Sequence, residues 1–266
     1  MIKIDISLLI CVHIETKLSK LKITMDSIFN QSHTPNEIII IINGPLSDNL
    51  LKFTYDIINS NENILRIPLK KNEGLATALN KGLSASSNEL IGRIDPGDII
   101  IDDRFVHQKN FLDSNPHISV CGSFAYEIYN KKKRILKKPI IHEEIINSLK
   151  IKNPIIHSTV VYRKSHIEKV GNYPIINKCQ DYFLWIKCNE YGLKFHNLPV
   201  TLIETELDKE MMNRRNFSYF LNERKIYSYM YNKNLIGLFN YIFLIVTRLS
   251  LRIIPNYLKM KLYNLR

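Results

Sequence analysis

The strongest constraint on the fold is a pair of near-continuous apolar runs close to the N-terminus, Ile6–Val12 (ISLLICV) and 36–42 (NEIIIII). A strand with one face in water alternates apolar and polar residues; a run apolar at nearly every position marks a strand covered on both faces. Between the two runs, Leu21, Met25, Ile28 and Phe29 recur at helical spacing. Further on, 63–68 (NILRIP) predicts a third strand and 89–94 (ELIGRI) a fourth. Leu75, Ala78, Leu79, Gly82 and Leu83 between them predict an amphipathic helix. Strands alternating with helices of this length build βαβ units and a mainly parallel sheet. The second half is less regular. It offers strand candidates at 118–125 and 158–163, a basic loop or hairpin at 130–138 (NKKKRILKK), and a helix at 181–191 (DYFLWIKCNEY).

Composition narrows the classes. With 45% hydrophobic residues the chain supports a core. Lys and Arg number 37 against 25 Asp and Glu, a net charge of +12, which suggests a polyanionic partner: nucleic acid, an anionic membrane or a phosphorylated substrate. The basic run at 130–138 lacks interleaved stacking aromatics, so nucleic acid is not an expected partner. Cys11, Cys121, Cys179 and Cys188 form no C-x-x-C pair and fit neither zinc nor a disulfide framework, which points to a reducing cytoplasm. Asp5 and Glu15 flank the first apolar run, which argues for a buried strand over a secretory signal. The longest uncharged stretch, Asn234–Thr247, has 14 residues, against the roughly 20 apolar residues that a spanning helix needs. Beyond residue 216 the expected structure is amphipathic and helical, with Arg248 and Arg252 one turn apart on one face. Such a tail suits a membrane interface or a helix packed on the core.

Four segments carry candidate chemistry, each with a plainer reading beside it. Asn72 and Asn80 lie in 71–82 (KNEGLATALNKG), which also suits a turn and a closely packed helix. Asp95 and Asp98 lie in 93–98 (RIDPGD) at a strand end. Open α/β sheets bind ligands there, and two carboxylates can hold a phosphate-bridging cation, although Asp-Pro-Gly-Asp also suits a surface turn. His157 lies in 153–160 (NPIIHSTV), where a lone histidine is often structural. Asp181 opens an aromatic helix in 180–185 (QDYFLW), where Asp also serves as an N-cap.

Taken in order, the SLLICV strand, EIIIIINGPL, KNEGLATALNKGL, RIDPGD, NPIIHSTVVYRKS, GNYP with QDYFLW, and the pair Arg214-Arg215 resemble glycosyltransferase family 2, in particular bacterial polysaccharide enzymes of the amylovoran type. The resemblance spans about residues 5 to 216. It implies the GT-A nucleotide-diphospho-sugar transferase fold, a Rossmann-like, mainly parallel but mixed sheet flanked by helices. On that basis residues 1–216 form the transferase domain, with a nucleotide-sugar half to about 100 and an acceptor half from 101, and 217–266 form a C-terminal helical tail. It further implies an inverting transfer from a nucleotide-sugar, commonly a UDP-sugar, with Mn²⁺ or Mg²⁺ at the Asp-rich loop. The expected acceptor is a polyprenyl-diphosphate-linked saccharide at the inner face of the bacterial cytoplasmic membrane, in the synthesis of O-antigen, capsule or exopolysaccharide.

Residue by residue, the resemblance makes Asp181 the base and Asp95 and Asp98 the metal candidates. Glu15, Asn43, Asn72, Asn80, Arg93, Asp95, Arg214 and Arg215 become nucleotide-sugar contacts, and His157 and Trp185 lie toward the acceptor. Three positions depart from the family pattern. Asn43 replaces an Asp that contacts the base, Gly97 stands where the direct metal ligand is expected, and Gln180 replaces the Glu of the ED-type motif. These departures leave a second reading open: a catalytically degenerate sugar-nucleotide-binding module of an assembly complex.

Overall fold

The computed structural model describes residues 2–130, 132–207 and 217–254. The chain opens as β1 (Ile2–Val12), α1 (Leu18–Phe29), β2 (His33–Asn43), α2 (Asp48–Asn59), β3 (Ile64–Leu69), α3 (Leu75–Ala85) and β4 (Leu90–Ile94). Strands β2 and β3, β1 and β2, and β1 and β4 all pair in parallel, as the alternation predicts. There follow β5 (Ile99–Ile100), α4 (Arg104–Ser114), β6 (Ile118–Tyr129), β7 (Lys132–Leu136) and α5 (His142–Leu149). After a short 3₁₀ turn (His157–Thr159) come β8 (Val161–Arg163), α6 (Lys164–Lys169), α7 (Gln180–Glu190), β9 (Lys194–Glu206), α8 (Phe217–Asn232) and α9 (Leu238–Ile253). One mixed sheet runs β3-β2-β1-β4-β8-β6-β9-β5, with β7 on β6. β8 is antiparallel to both neighbours, whereas β6 and β9 run parallel.

The continuous apolar runs have the predicted cause. Ile6, Leu8, Ile10 and Val12 of β1 enter one core with Leu21, Met25 and Ile28 of α1. Leu9 and Cys11 enter the opposite core with Leu79 and Leu83 of α3. Gly82 lets α3 lie close on the sheet, since a Cβ there would meet Ile41 Cδ1 at 2.9 Å.

The basic run is a hairpin: β7 pairs antiparallel with the end of β6. The expected strand at 158–163 shortens to β8, because 157–159 turn as 3₁₀ helix. All four cysteines are buried and free.

The C-terminal helices are part of the second core, to which Ile226, Tyr227, Met230 and Leu244 contribute. Arg248 and Arg252 share a face, as their spacing predicts, but that face turns inward. Arg252 makes a bidentate pair with Glu223 of α8 at 2.9 and 3.0 Å, and Arg248 donates to Tyr227 Oη and to the Ile151 carbonyl. The outer face of α9 is apolar, with Leu238, Phe239, Ile242, Phe243, Val246 and Ile253 exposed. Among the described residues no helix is long and apolar enough to cross a membrane.

Candidate functional site

Because β2, β1 and β4 are parallel, their carboxyl ends lie along one sheet edge, where open α/β sheets bind ligands. Four predicted contacts lie at or near this edge: Glu15 and Asn72 on loops, Asn43 at the end of β2 and Asn80 on α3. Glu15 is exposed in the turn after β1, which closes with Thr16 N–H donating to the His13 carbonyl. Asn43 ends β2 and is buried. Its Nδ2 donates to Asn72 Oδ1 at 3.1 Å, while its Oδ1 accepts the Glu73 N–H at 2.9 Å. Asn72 Oδ1 also accepts the Gly74 N–H. Asn43 and Asn72 thus organise the loop into α3. Asn80 has a different task. Its carboxamide clasps the backbone of Tyr173, donating to the carbonyl and accepting the N–H, each at 2.9 Å.

The end of β4 and the segment after it form the charged centre. Arg93 is buried at 3% exposure and pairs with the half-exposed carboxylate of Asp95. Asp95, Tyr173, Asp98 and Asp181 all favour its charged form. Asp98 is buried, and the hydroxyls of Ser158 and Thr205 donate to its carboxyl. Burial, reinforced by the charge of Asp95, pushes Asp98 up to about 6. Thr24 of α1 straps the loop from below, donating to the Asp98 carbonyl at 2.8 Å and accepting the Gly97 N–H at 2.8 Å. Gly97 has φ +106°, and a Cβ there would lie 2.7 Å from Lys20 Cδ. The space a side chain would need is filled by the stem of Lys20, whose ammonium pairs with Glu206 at 2.6 Å.

The second wall comes from 153–159 and α7. Asp181 is not the N-cap; Cys179 holds that position, with φ +63°. Asp181 occupies the first turn, where its carboxylate accepts backbone N–H groups, its own and that of Tyr182. Asn153 Nδ2 donates to Asp181 Oδ2 at 2.6 Å. Burial raises Asp181 above the usual carboxylate range against these donors and Arg93. His157 Nε2 lies 3.0 Å from Tyr173 Oη, and burial, followed by the charge of Arg93, holds the imidazole well below its ordinary range. It is therefore neutral at pH 7.

Trp185 lies beside His157, the other residue expected toward the acceptor. It is 0% exposed and packs edge-on against His157 and Phe195, so the indole is part of the core. Arg214 and Arg215 lie outside the described residues. Asn153 is the residue the sequence reading missed, although it opens the same NPIIHSTV segment that singled out His157.

Among the described residues no three His, Cys, Asp or Glu side chains converge on one point. Asp95 and Asp98 nevertheless fit a divalent cation in donor type. They are neighbouring hard oxygen donors whose mutual repulsion a cation would relieve. Gly97 adds no ligand.

The family model described as glycosyl transferase family 2 matches residues 7–171. The amylovoran biosynthesis glycosyltransferase AmsE of Erwinia amylovora is 30% identical over 223 residues, 83% of this chain and 84% of the relative. A UDP-Gal:alpha-D-GlcNAc-diphosphoundecaprenol beta-1,3-galactosyltransferase of Escherichia coli is 30% identical over 252 residues, 94% of this chain and 91% of the relative. Among solved structures, the mannosyltransferase PcManGT of Pyrobaculum calidifontis, in complex with GDP-Man and Mn²⁺, has a TM-score of 0.65 at 13% identity. That match covers 95% of this chain and 70% of the other, and it carries the GT-A fold. With the family model matching residues 7–171 and this likeness along the chain, the protein belongs to glycosyltransferase family 2.

Proposed function

We propose that the chain is an inverting glycosyltransferase that moves a sugar from a nucleotide-sugar, with UDP favoured, to a polyprenyl-diphosphate-linked saccharide in bacterial surface polysaccharide synthesis. The observation that carries this is Asp181: a half-buried carboxylate held in the first turn of a helix, with Arg93, Asp95 and Asp98 gathered at the neighbouring strand ends. The relative that acts on a diphosphoundecaprenol-linked GlcNAc supports the acceptor class.

In this reading Asp181 takes the proton of the acceptor hydroxyl as its oxygen attacks the anomeric carbon from the face opposite the leaving diphosphate. Burial raises its proton affinity, which improves it as a base. Arg93 faces the charge that develops on the leaving group and holds Asp95 in place. Asp95 and Asp98 would hold Mn²⁺ or Mg²⁺, which when bound supplies charge neutralisation to the diphosphate. Arg214 and Arg215 remain candidate diphosphate clamps. Asn43 and Asn72 shape the nucleotide loop, Glu15 stands at its rim, and Asn80 ties α3 to the acceptor wall.

The reading divides the chain into a transferase domain to about 216 and a C-terminal tail that rests on anionic lipid at the inner face of the cytoplasmic membrane. The exposed stripe on α9 supplies its apolar face, and Lys259, Lys261 and Arg266 add positive charge at the level of sequence.

A thermal-shift screen of UDP-, GDP- and dTDP-sugars with and without Mn²⁺ tests the donor and the metal together. Stabilisation by UDP-sugars, increased by Mn²⁺, is the expected result. Gly97 favours a second reading, a binding module without turnover; donor binding with no transfer under any metal would select it.

A further inference from the structure

We propose that Asn153 is the positioning residue of the transfer reaction, holding Asp181 Oδ2 so that the other carboxylate oxygen is presented to the acceptor hydroxyl. This rests on Asp181 being the base. An asparagine can offer a neighbour either its oxygen or its amide hydrogens. Here the choice is made by the backbone: Asn153 Oδ1 accepts the Ile155 N–H at 3.1 Å, so Nδ2 faces Asp181 at 2.6 Å. The arm that carries it is fixed at both ends. Lys138 Nζ donates to the Asn153 carbonyl at 3.2 Å, and Asn197 Nδ2 donates to the Pro154 carbonyl at 3.1 Å. Pro154 itself restricts Asn153 to extended backbone.

The bond joins residues 28 positions apart, so it ties the 153–159 segment to α7. The groups that face Asp181 are Arg93 from β4, Tyr173 from the loop before α7, and Cys179 at the N-cap. Burial pushes Cys179 up to about 12 and Tyr173 well above its ordinary range. Both stay neutral near pH 7, which leaves Arg93, the backbone N–H groups and Asn153 as the partners of the charged carboxylate.

The test is a ¹³C-carboxylate NMR titration of the full chain labelled at aspartate, with the Asp181 signal assigned by Asp181→Asn. Asn153→Ala is expected to move the Asp181 midpoint upward by about one pH unit, since a donor to the charged form is lost. The near-isosteric Asn153→Asp removes the same donor with less disturbance of the fold and moves it further. In transfer assays Asn153→Ala is expected to lose about tenfold in kcat/KM below neutrality, with the gap narrowing as pH rises. A midpoint unmoved in both variants, with only a lower Tm, overturns the proposal. An upward shift in a protein whose Asp181→Asn variant still transfers sugar would instead sink the base assignment and leave the Asn153–Asp181 coupling standing.

Discussion

Replacing Glu223 by alanine tests the finding that departs furthest from the sequence expectation, the inward turn of Arg248 and Arg252. Glu223 is about 7% exposed, and Arg252 and Arg248 are 11% and 19% exposed. Arg252 binds both carboxylate oxygens, and the Tyr219 ring lies 4.8 Å from its guanidinium. Removing one partner of a buried pair costs about 3–5 kcal/mol, because the remaining charge stays desolvated. Arg248 keeps Tyr227 Oη and the Ile151 carbonyl, which places the expected loss at the lower end, about 3 kcal/mol. For a chain of this length that lowers Tm by roughly 6–12 °C. Glu223→Gln keeps a hydrogen-bonding oxygen and is expected to lose about half as much. Urea denaturation followed by fluorescence of the single tryptophan, Trp185, and by far-UV circular dichroism reads the loss. If Glu223→Ala stays within about 1 kcal/mol of wild type, below the range for a broken buried pair, the two arginines are not anchored as described.

Other consequences are equally direct. Gly97→Asp, which restores the family's ligand type, is expected to cost about 2 kcal/mol, since it forces a side chain into left-handed backbone and against Lys20. It should not tighten Mn²⁺ binding by calorimetry, and a gain of tenfold or more would contradict the crowding by Lys20. His157 is neutral in the fold and protonates more readily when unfolded, so stability falls as pH drops below about 6.5, by up to about 1.4 kcal/mol per pH unit. His157→Gln removes that dependence, and an unchanged slope in denaturation series at pH 5 to 7 would show that the imidazole titrates normally. Phe239→Ser with Phe243→Ser is expected to reduce co-sedimentation with anionic vesicles about tenfold or more while leaving donor-induced thermal shifts intact. Equal co-sedimentation would remove α9 from the membrane account.

Strands β1, β2 and β4 were legible because they are covered on both faces and so announce themselves as apolar runs. Helix α4 was missed for the opposite reason. Its buried face includes Arg104 and Gln108, both 0% exposed, which break the apolar period. They are present because Arg104 donates to the Arg93 and Val160 carbonyls, and Gln108 to those of Cys121 and Thr159. The two residues satisfy strand-end backbone beneath the site. Strand β9 was hidden by Pro199 and by register shifts against β6. At the site, the motif order singled out Asp181, Arg93 and Asp95 as candidates, and Arg93 pairs with Asp95. It did not foresee that Asp98 is buried under hydroxyls, that Trp185 is sealed in the core, or that Asn80 is committed to the Tyr173 backbone. Those outcomes depend on which way a side chain points, and a motif does not encode that.

The central claim, that Asp181 is the base of a sugar transfer in this cleft, is tested most directly by Asp181→Asn assayed for transfer and for donor binding in the same preparation. The probe pair is UDP-galactose and GlcNAc-diphosphoundecaprenol, with other UDP-sugars run in parallel. The carboxamide keeps the size of the side chain and its place on α7, so donor binding and Tm are expected to hold. Transfer is expected to fall by about 10²–10⁴-fold, the contribution of a general base. Transfer at the wild-type rate by Asp181→Asn would contradict the account.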